Sequence, residues 1–234
     1  MGADNVGAHF AGEEMTTRKA KMDDAALKNA VVGAALAHIA FDGFGEKLME
    51  RAASEAGASR EDMRRLFPDG PLALLEAYSI GVDGEMERRL AKLKLSAMPV
   101  RARIAMAVKT RLAILKPHKE AARRAAAHLS LPPNLALGMK LIYCTVDAMW
   151  RAAGDVSTDF NFYSKRAILA GVYSATLMRW FTDDSEGESA TDAFLAARIE
   201  NVMQFEKLKG RVRERAKKLP TLADILSGFA ARRA

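Results

Sequence analysis

Apolar side chains recur at three- and four-residue spacing along almost the whole chain, with no sustained period-two alternation, and this pattern leaves helices as the available regular element. The spacing is carried largely by Ala, Leu, Met, Arg, Lys and Glu, which lose little on entering a helix. An all-α fold is therefore expected. Half of the 234 residues are hydrophobic, enough for a sizeable core without disulfide staples. Cys144 is the only cysteine, which excludes an intramolecular disulfide and a Cys-based zinc site. Its place in the apolar run LIYCTVDAMW predicts a buried structural thiol. No apolar stretch approaches the roughly 20 residues needed to cross a bilayer, so a soluble or peripheral protein is expected.

Breakers divide the pattern. Residues 1–22 carry Asp4, Glu13 and Glu14 among small polar residues, unlike a secretory or organellar leader, and are read as a disordered lead-in. Leu27, Val31, Ala34, Ala35 and His38 mark one stripe of a first helix over 23–39, closed by the FDGFG turn. A second helix over 46–56 stops at Gly57, and Ser59 caps a short third one that Phe67-Pro68 ends. Further helices are predicted at 72–96, 99–115 and 118–129, before Leu131-Pro132-Pro133, and then at 134–153, 159–181 and 190–208. This gives a lead-in (1–22), a three-helix unit (23–71), a helical body (72–209) and a basic tail (210–234).

The net charge of +7 is concentrated in two places. Residues 101–124 hold eight basic side chains against Glu120, and residues 201–234 hold nine against three acidic ones, so the rest of the chain is net acidic. Localised cations favour nucleic acid or acidic lipid head groups; a solvated helix face is the alternative for the 101–124 block. The acidic loop side chains Asp183, Asp184, Glu186 and Glu188 lack EF-hand spacing and are expected to be solvated.

The segment GFGEKLMERAASEAGASREDMRRLFPDGPLALLEAY resembles a TetR-type helix-turn-helix, with Ala52, Ala53, Ala56 and Gly57 permitting close helix approach. A DNA-reading helix should present neutral or basic groups at its start, whereas this one presents Glu61 and Asp62. Arg60, Arg64 and Arg65 remain able to touch phosphate. DNA is not the expected partner, and the resemblance implies a TetR-like fold whose body serves another purpose.

The stretch GDVSTDFNFYSKRAILAGVYSATL, residues 154–177, carries the most specific information. Asp155, Ser157, Thr158 and Asp159 can cap a new helix, and Phe160, Phe162 and Tyr163 crowd aromatics beyond what one face buries. Together with FDGFG, RRLFPDGPLALL, VDAMWRAAGD and DDSEG, this run resembles the lipid-binding accessory family of ubiquinone biosynthesis, the ninth protein of the Coq series and its bacterial relatives. The resemblance implies a homodimer that binds an isoprenoid quinone intermediate or other lipid and meets a partner hydroxylase of quinone synthesis. Asp159, Phe162, Tyr163 and Arg166 fall on the docking surface it implies, Phe162 standing where relatives usually have Trp. Asp159 is also readable as a simple cap, and Tyr163 as a half-buried core aromatic.

Met139, Ile142, Tyr143, Val146, Met149 and Trp150 share helical spacing, as do Leu169, Val172, Tyr173, Thr176, Leu177, Trp180 and Phe181. Spacing alone is explained by mutual packing; the resemblance turns Met139, Ile142, Tyr143, Val146, Met149, Trp150, Leu169, Val172, Tyr173 and Leu177 into expected lipid-pocket residues. In the tail, Leu222, Ile225, Leu226 and Phe229, flanked by Lys217, Lys218, Arg232 and Arg233, suit an interfacial helix on an anionic membrane. Packing of that helix on the body or another subunit is the alternative. By resemblance, a bacterial chain would sit in the cytoplasm on the inner membrane, and a eukaryotic one on the matrix side. His9, His38, His118 and His128 are isolated, with no HExxH pair and no phosphate-binding glycine loop, so neither catalysis, cofactor nor metal is expected. The rival reading is a TetR-like transcriptional regulator with an apolar effector pocket.

Overall fold

The computed structural model describes the backbone of residues 23–155 and 160–217, and the side chains of 23–155 and 162–205. Among these residues every regular element is helical. Helix α1 (Asp24–Asp42) buries Leu27, Val31, Ala35 and Ile39, a strict four-residue stripe, and the Gly43 N–H bonds to the Ile39 carbonyl at φ 65° where the FDGFG turn begins. His38 falls beside that stripe, and its Nε2 lies 2.6 Å from Glu55 Oε1. Helix α2 (Glu46–Ala56) buries Leu48 and Ala52 and ends on left-handed Gly57. Helix α3 (Arg60–Leu66) starts from a capping box, in which Asp62 N–H donates to Ser59 Oγ at 3.1 Å and Ser59 N–H to Asp62 Oδ2 at 3.2 Å.

Helix α4 (Pro71–Ala91) belongs to both halves of the molecule. Its Leu74, with Phe67 and Ala121, completes a small core built on Val31, Ile39 and Leu48. Further along, its Val82, Met86 and Leu90 enter a larger core. The helix ends before the expected residue 96, because a 3-10 turn over Leu95–Ala97 leads into Pro99. Helices α5 (Val100–Leu115), α6 (Lys119–Leu129), α7 (Leu135–Ala152), α8 (Phe160–Phe181) and α9 (Ser189–Lys217) form the body. There α4 packs on α5 and α7, α7 on α8, and α8 on α9. Val108, Val146, Met149, Trp180 and Leu195 are buried at its centre. Each such side chain contributes about 1.5–3 kcal/mol by leaving water.

Three expectations need correction. Cys144 is exposed: α7 buries Gly138, Leu141, Thr145, Val146, Ala148 and Met149, and Cys144 shares the opposite side with Lys140 and Tyr143. Asp183 is buried at 3% exposure, where it accepts from Ser185 N–H (3.0 Å), Ser185 Oγ (2.6 Å), Thr191 N–H (2.7 Å) and Thr191 Oγ1 (2.5 Å). Gly210 does not end α9, which continues to Lys217. A single glycine costs a helix only about 1 kcal/mol, and the strong helix formers after it carry the backbone on.

The basic block at 101–124 is largely spent on ties within the protein. Arg103 donates to the carbonyls of Met98 and Ala153, Lys109 pairs with Asp192, Lys116 with Glu188, Lys119 donates to the Asp183 carbonyl, and Arg123 and Arg124 share Glu120. Arg111 is buried. The block thus ties α5 and α6 to α7, α9 and the Asp183 loop.

Candidate lipid-binding cavities

Among the described residues, apolar cavities open in the body on either side of α8. The first, about 240 Å³, lies among α4, α5, α6, α7 and α8 and is walled by Leu115, Ala122, Ala125, Ile142, Leu177 and Phe181. Small residues create it: Ala122, Ala125 and Ala126 face it from α6, and they leave space that Leu or Phe would fill. Gly138 brings α7 against α6 so closely that a Cβ there would lie 2.9 Å from the Leu129 carbonyl oxygen. Leu135, Met139 and Met178 line the opening and are 51%, 61% and 52% exposed.

One wall of this cavity is polar. Arg111 Nε donates to Asp83 Oδ1 at 2.7 Å, its Nη1 donates to the Tyr173 hydroxyl, and its Nη2 donates to Ser79 Oγ at 3.2 Å. Thr145 Oγ1 donates to Asp83 Oδ2 at 2.8 Å, so the buried carboxylate has two partners. The Tyr78 hydroxyl is buried beside this group with no hydrogen-bond partner among the described residues. Burial pushes its pKa up to about 12, against the opposing pull of Arg111. The sequence carried a signal for this cluster that its apolar stripes obscured: Asp83 sits next to Val82 in α4, and Arg111 falls in register with Ile104, Val108 and Leu115 in α5.

The second cavity, about 480 Å³, is bounded by the start of α5, the end of α7, α8 and α9. Ile104, Trp150, Leu169, Val172, Ile199 and Met203 line it, with Arg101 and Lys165 among its polar groups. Trp150 Nε1 donates to the Lys165 carbonyl at 3.2 Å and so fixes α7 to α8 at its edge.

The expected pocket residues therefore separate. Met139, Ile142, Tyr173 and Leu177 line the first cavity, and Trp150, Leu169 and Val172 the second. Val146 and Met149 are fully buried in the core between helices and line neither. Tyr143 lies outside both, 45% exposed on the solvent side of α7. A shared helical stripe sets only which residues face inward, and the neighbouring helices decide where that inward face meets side chains or space.

At the start of α8, Arg166 is 3% exposed and not available as a docking residue. Its guanidinium bonds to Asp147 (2.7 Å), Asp155 (3.3 Å) and the Phe162 carbonyl (3.2 Å), and stacks 3.4 Å from the Phe162 ring centroid. It clamps α8 to α7, and Lys165 adds a 3.0 Å bond to Asp155. Tyr163 is 65% exposed and meets the half-buried Phe162 edge to face. Asp159, with Ser157 and Thr158, lies outside the described residues, as do Lys218, Leu222, Ile225, Leu226, Phe229, Arg232, Arg233 and the side chain of Lys217. In the three-helix unit Arg65 pairs with Asp24 and Asp62, which leaves it occupied within the protein.

Helical order and cavities define a TetR-like all-α protein with an apolar body. A TetR transcriptional regulator from Nitrosomonas europaea superposes with a TM-score of 0.59 at 18% identity, covering 74% of this chain and 96% of that one. The sequence matches more narrowly: residues 135–206, which take in α7, α8 and the first part of α9, match the COQ9 family model. The rat protein named "Ubiquinone biosynthesis protein COQ9, mitochondrial" is 43% identical over 99 residues, 42% of this chain and 32% of the rat one. The Xenopus tropicalis COQ9 is 31% identical over 166 residues, 68% of this chain and 50% of its own length. The Drosophila melanogaster COQ9 is 25% identical over 206 residues, 86% and 62% respectively. The chain thus spans about a third of the length of the rat relative and about half of the frog one.

Proposed function

We propose that this chain is a non-catalytic lipid-binding accessory protein of ubiquinone biosynthesis, which takes a hydrophobic isoprenoid quinone intermediate from the membrane and presents it to a membrane-associated hydroxylase. The observation that carries the reading is the first cavity, an apolar space with a polar wall, lined on one side by α7 and α8 of the segment that matches the COQ9 family model and on the other by α4, α5 and α6. The exposed Tyr163 and half-buried Phe162 at the start of α8 offer the hydroxylase an aromatic patch, and Asp159, close to them in sequence, is a further candidate for that contact. The basic amphipathic stretch 210–234 supplies the membrane contact, with Lys217, Lys218, Arg232 and Arg233 on anionic head groups. The working form is a homodimer, peripheral on the inner membrane. The mitochondrial names of the relatives suit the matrix side in a eukaryote; the cytoplasmic face is the equivalent place in a bacterium.

Native mass spectrometry and solvent extraction of the purified full chain should find bound lipid, and the protein should float with anionic liposomes. Failure of both would end this reading. Disruption of the gene should leave a quinone intermediate accumulated, and a normal quinone profile would count heavily against it. A salt-dependent mobility shift on its own upstream DNA would instead favour a TetR-like regulator.

A further inference from the structure

We propose that the first cavity takes its ligand head first: a neutral, oxygen-bearing ring rests against the Tyr78–Arg111–Tyr173 wall, and the hydrocarbon chain leaves past Met139 and Met178. This rests on the lipid-carrier reading and adds which end of the lipid is gripped and which lipids are refused.

The cavity volume sets the first limit. A space of about 150 Å³ holds benzene, whereas sites that enclose a drug-sized ligand run to about 300–1,000 Å³. At about 240 Å³ the cavity accommodates one substituted ring and not a long isoprenoid chain, so the chain must use the opening. Hydrogen bonding sets the polarity of the two ends. Tyr78 keeps a buried hydroxyl without a partner among the described residues, and a buried donor left without a hydrogen bond is costly. A carbonyl or hydroxyl oxygen on the ligand satisfies it. The raised pKa keeps this hydroxyl protonated, and so a donor, at physiological pH. Charge sets the choice of head group. Asp83 and Arg111 already neutralise each other at 2.7 Å, both buried. A carboxylate or phosphate head would add an uncompensated anion beside Asp83, at a large desolvation cost, while a quinone or phenol adds none.

The test uses the full chain and three probes that share a ten-carbon chain: decyl-1,4-benzoquinone, decylbenzene and decanoate. Calorimetric titration should give the quinone the tightest binding and decanoate the weakest. Tyr78→Phe keeps the ring volume and removes only the hydroxyl. It should weaken quinone binding about 5- to 10-fold and change decylbenzene binding less than twofold. If this variant is poorly folded by circular dichroism, photolabelling of the wild-type chain decides the orientation instead. A quinone probe with a diazirine on its terminal chain carbon should label Leu135, Met139 or Met178. Equal effects on quinone and decylbenzene, tighter binding of decanoate, or labelling at Tyr78 and Ser79 would each overturn the head-first assignment while wild-type binding preserved the carrier reading. If the wild-type protein bound none of the probes and carried no lipid, both would fall.

Discussion

Asp183 and Arg111 are charged side chains that fold into the interior for opposite reasons. Asp183 joins α8 to α9 by accepting four hydrogen bonds from Ser185 and Thr191, and these hold its carboxyl well below the usual carboxylate range. A depressed folded pKa means that its stabilisation is present above the unfolded value near 3.9 and is lost as pH falls toward the folded one. Asp183→Asn should therefore lower the melting temperature at pH 7, with the gap to wild type narrowing below pH 4 in a calorimetric pH series. Loop composition alone suggested a solvated acid, because one of its two partners, Thr191, lies eight residues on and only the fold returns it. Arg111, in contrast, sits in the core and neutralises Asp83. Arg111→Met should destabilise by about 3–5 kcal/mol in urea unfolding, since it leaves Asp83 buried without its cation, and adding Asp83→Leu should recover most of the loss.

Helices were the most legible features of the sequence, because periodicity and breakers act locally. Gly57 and Ser59 mark boundaries that form at those residues, and Leu27, Val31 and Ala35 of the stripe read in α1 are buried, while Ala34 and His38 are only partly covered. What periodicity lacks is the phase of a helix against its neighbours. The misplacement of Cys144 and Tyr143 on α7 and the assignment of Val146 and Met149 to a pocket have this one cause. Contacts between elements carry two predictions. Gly138→Ala places a methyl against the Leu129 backbone, where neither helix can yield without moving, and should cost about 1–3 kcal/mol of stability. Arg166→Ala removes the clamp between α7 and α8; amide exchange over residues 162–170 should rise at least ~10-fold while the middle of α4 stays protected.

The expected boundary at residues 71–72 falls within the first turn of α4, and the molecule does not divide there. The smaller core needs Leu74 from α4 and Ala121 from α6, so residues 23–71 lack part of their own interior. That fragment should be largely unfolded by far-ultraviolet circular dichroism, and the whole chain should melt in one transition; two separate transitions would show independent units. The mouth of the first cavity also bears on rate. Leu135, Met139 and Met178 extend the apolar lining onto the surface. A hydrocarbon tail that had to cross open water would meet a barrier of about 0.8 kcal/mol for each methylene exposed. A greasy threshold pressed against a bilayer, or against a partner's entrance, keeps those methylenes covered throughout the passage. On the proposed lipid-carrier role, the same three side chains that look wasteful on a resting surface would thereby shorten the time a cargo takes to change hands.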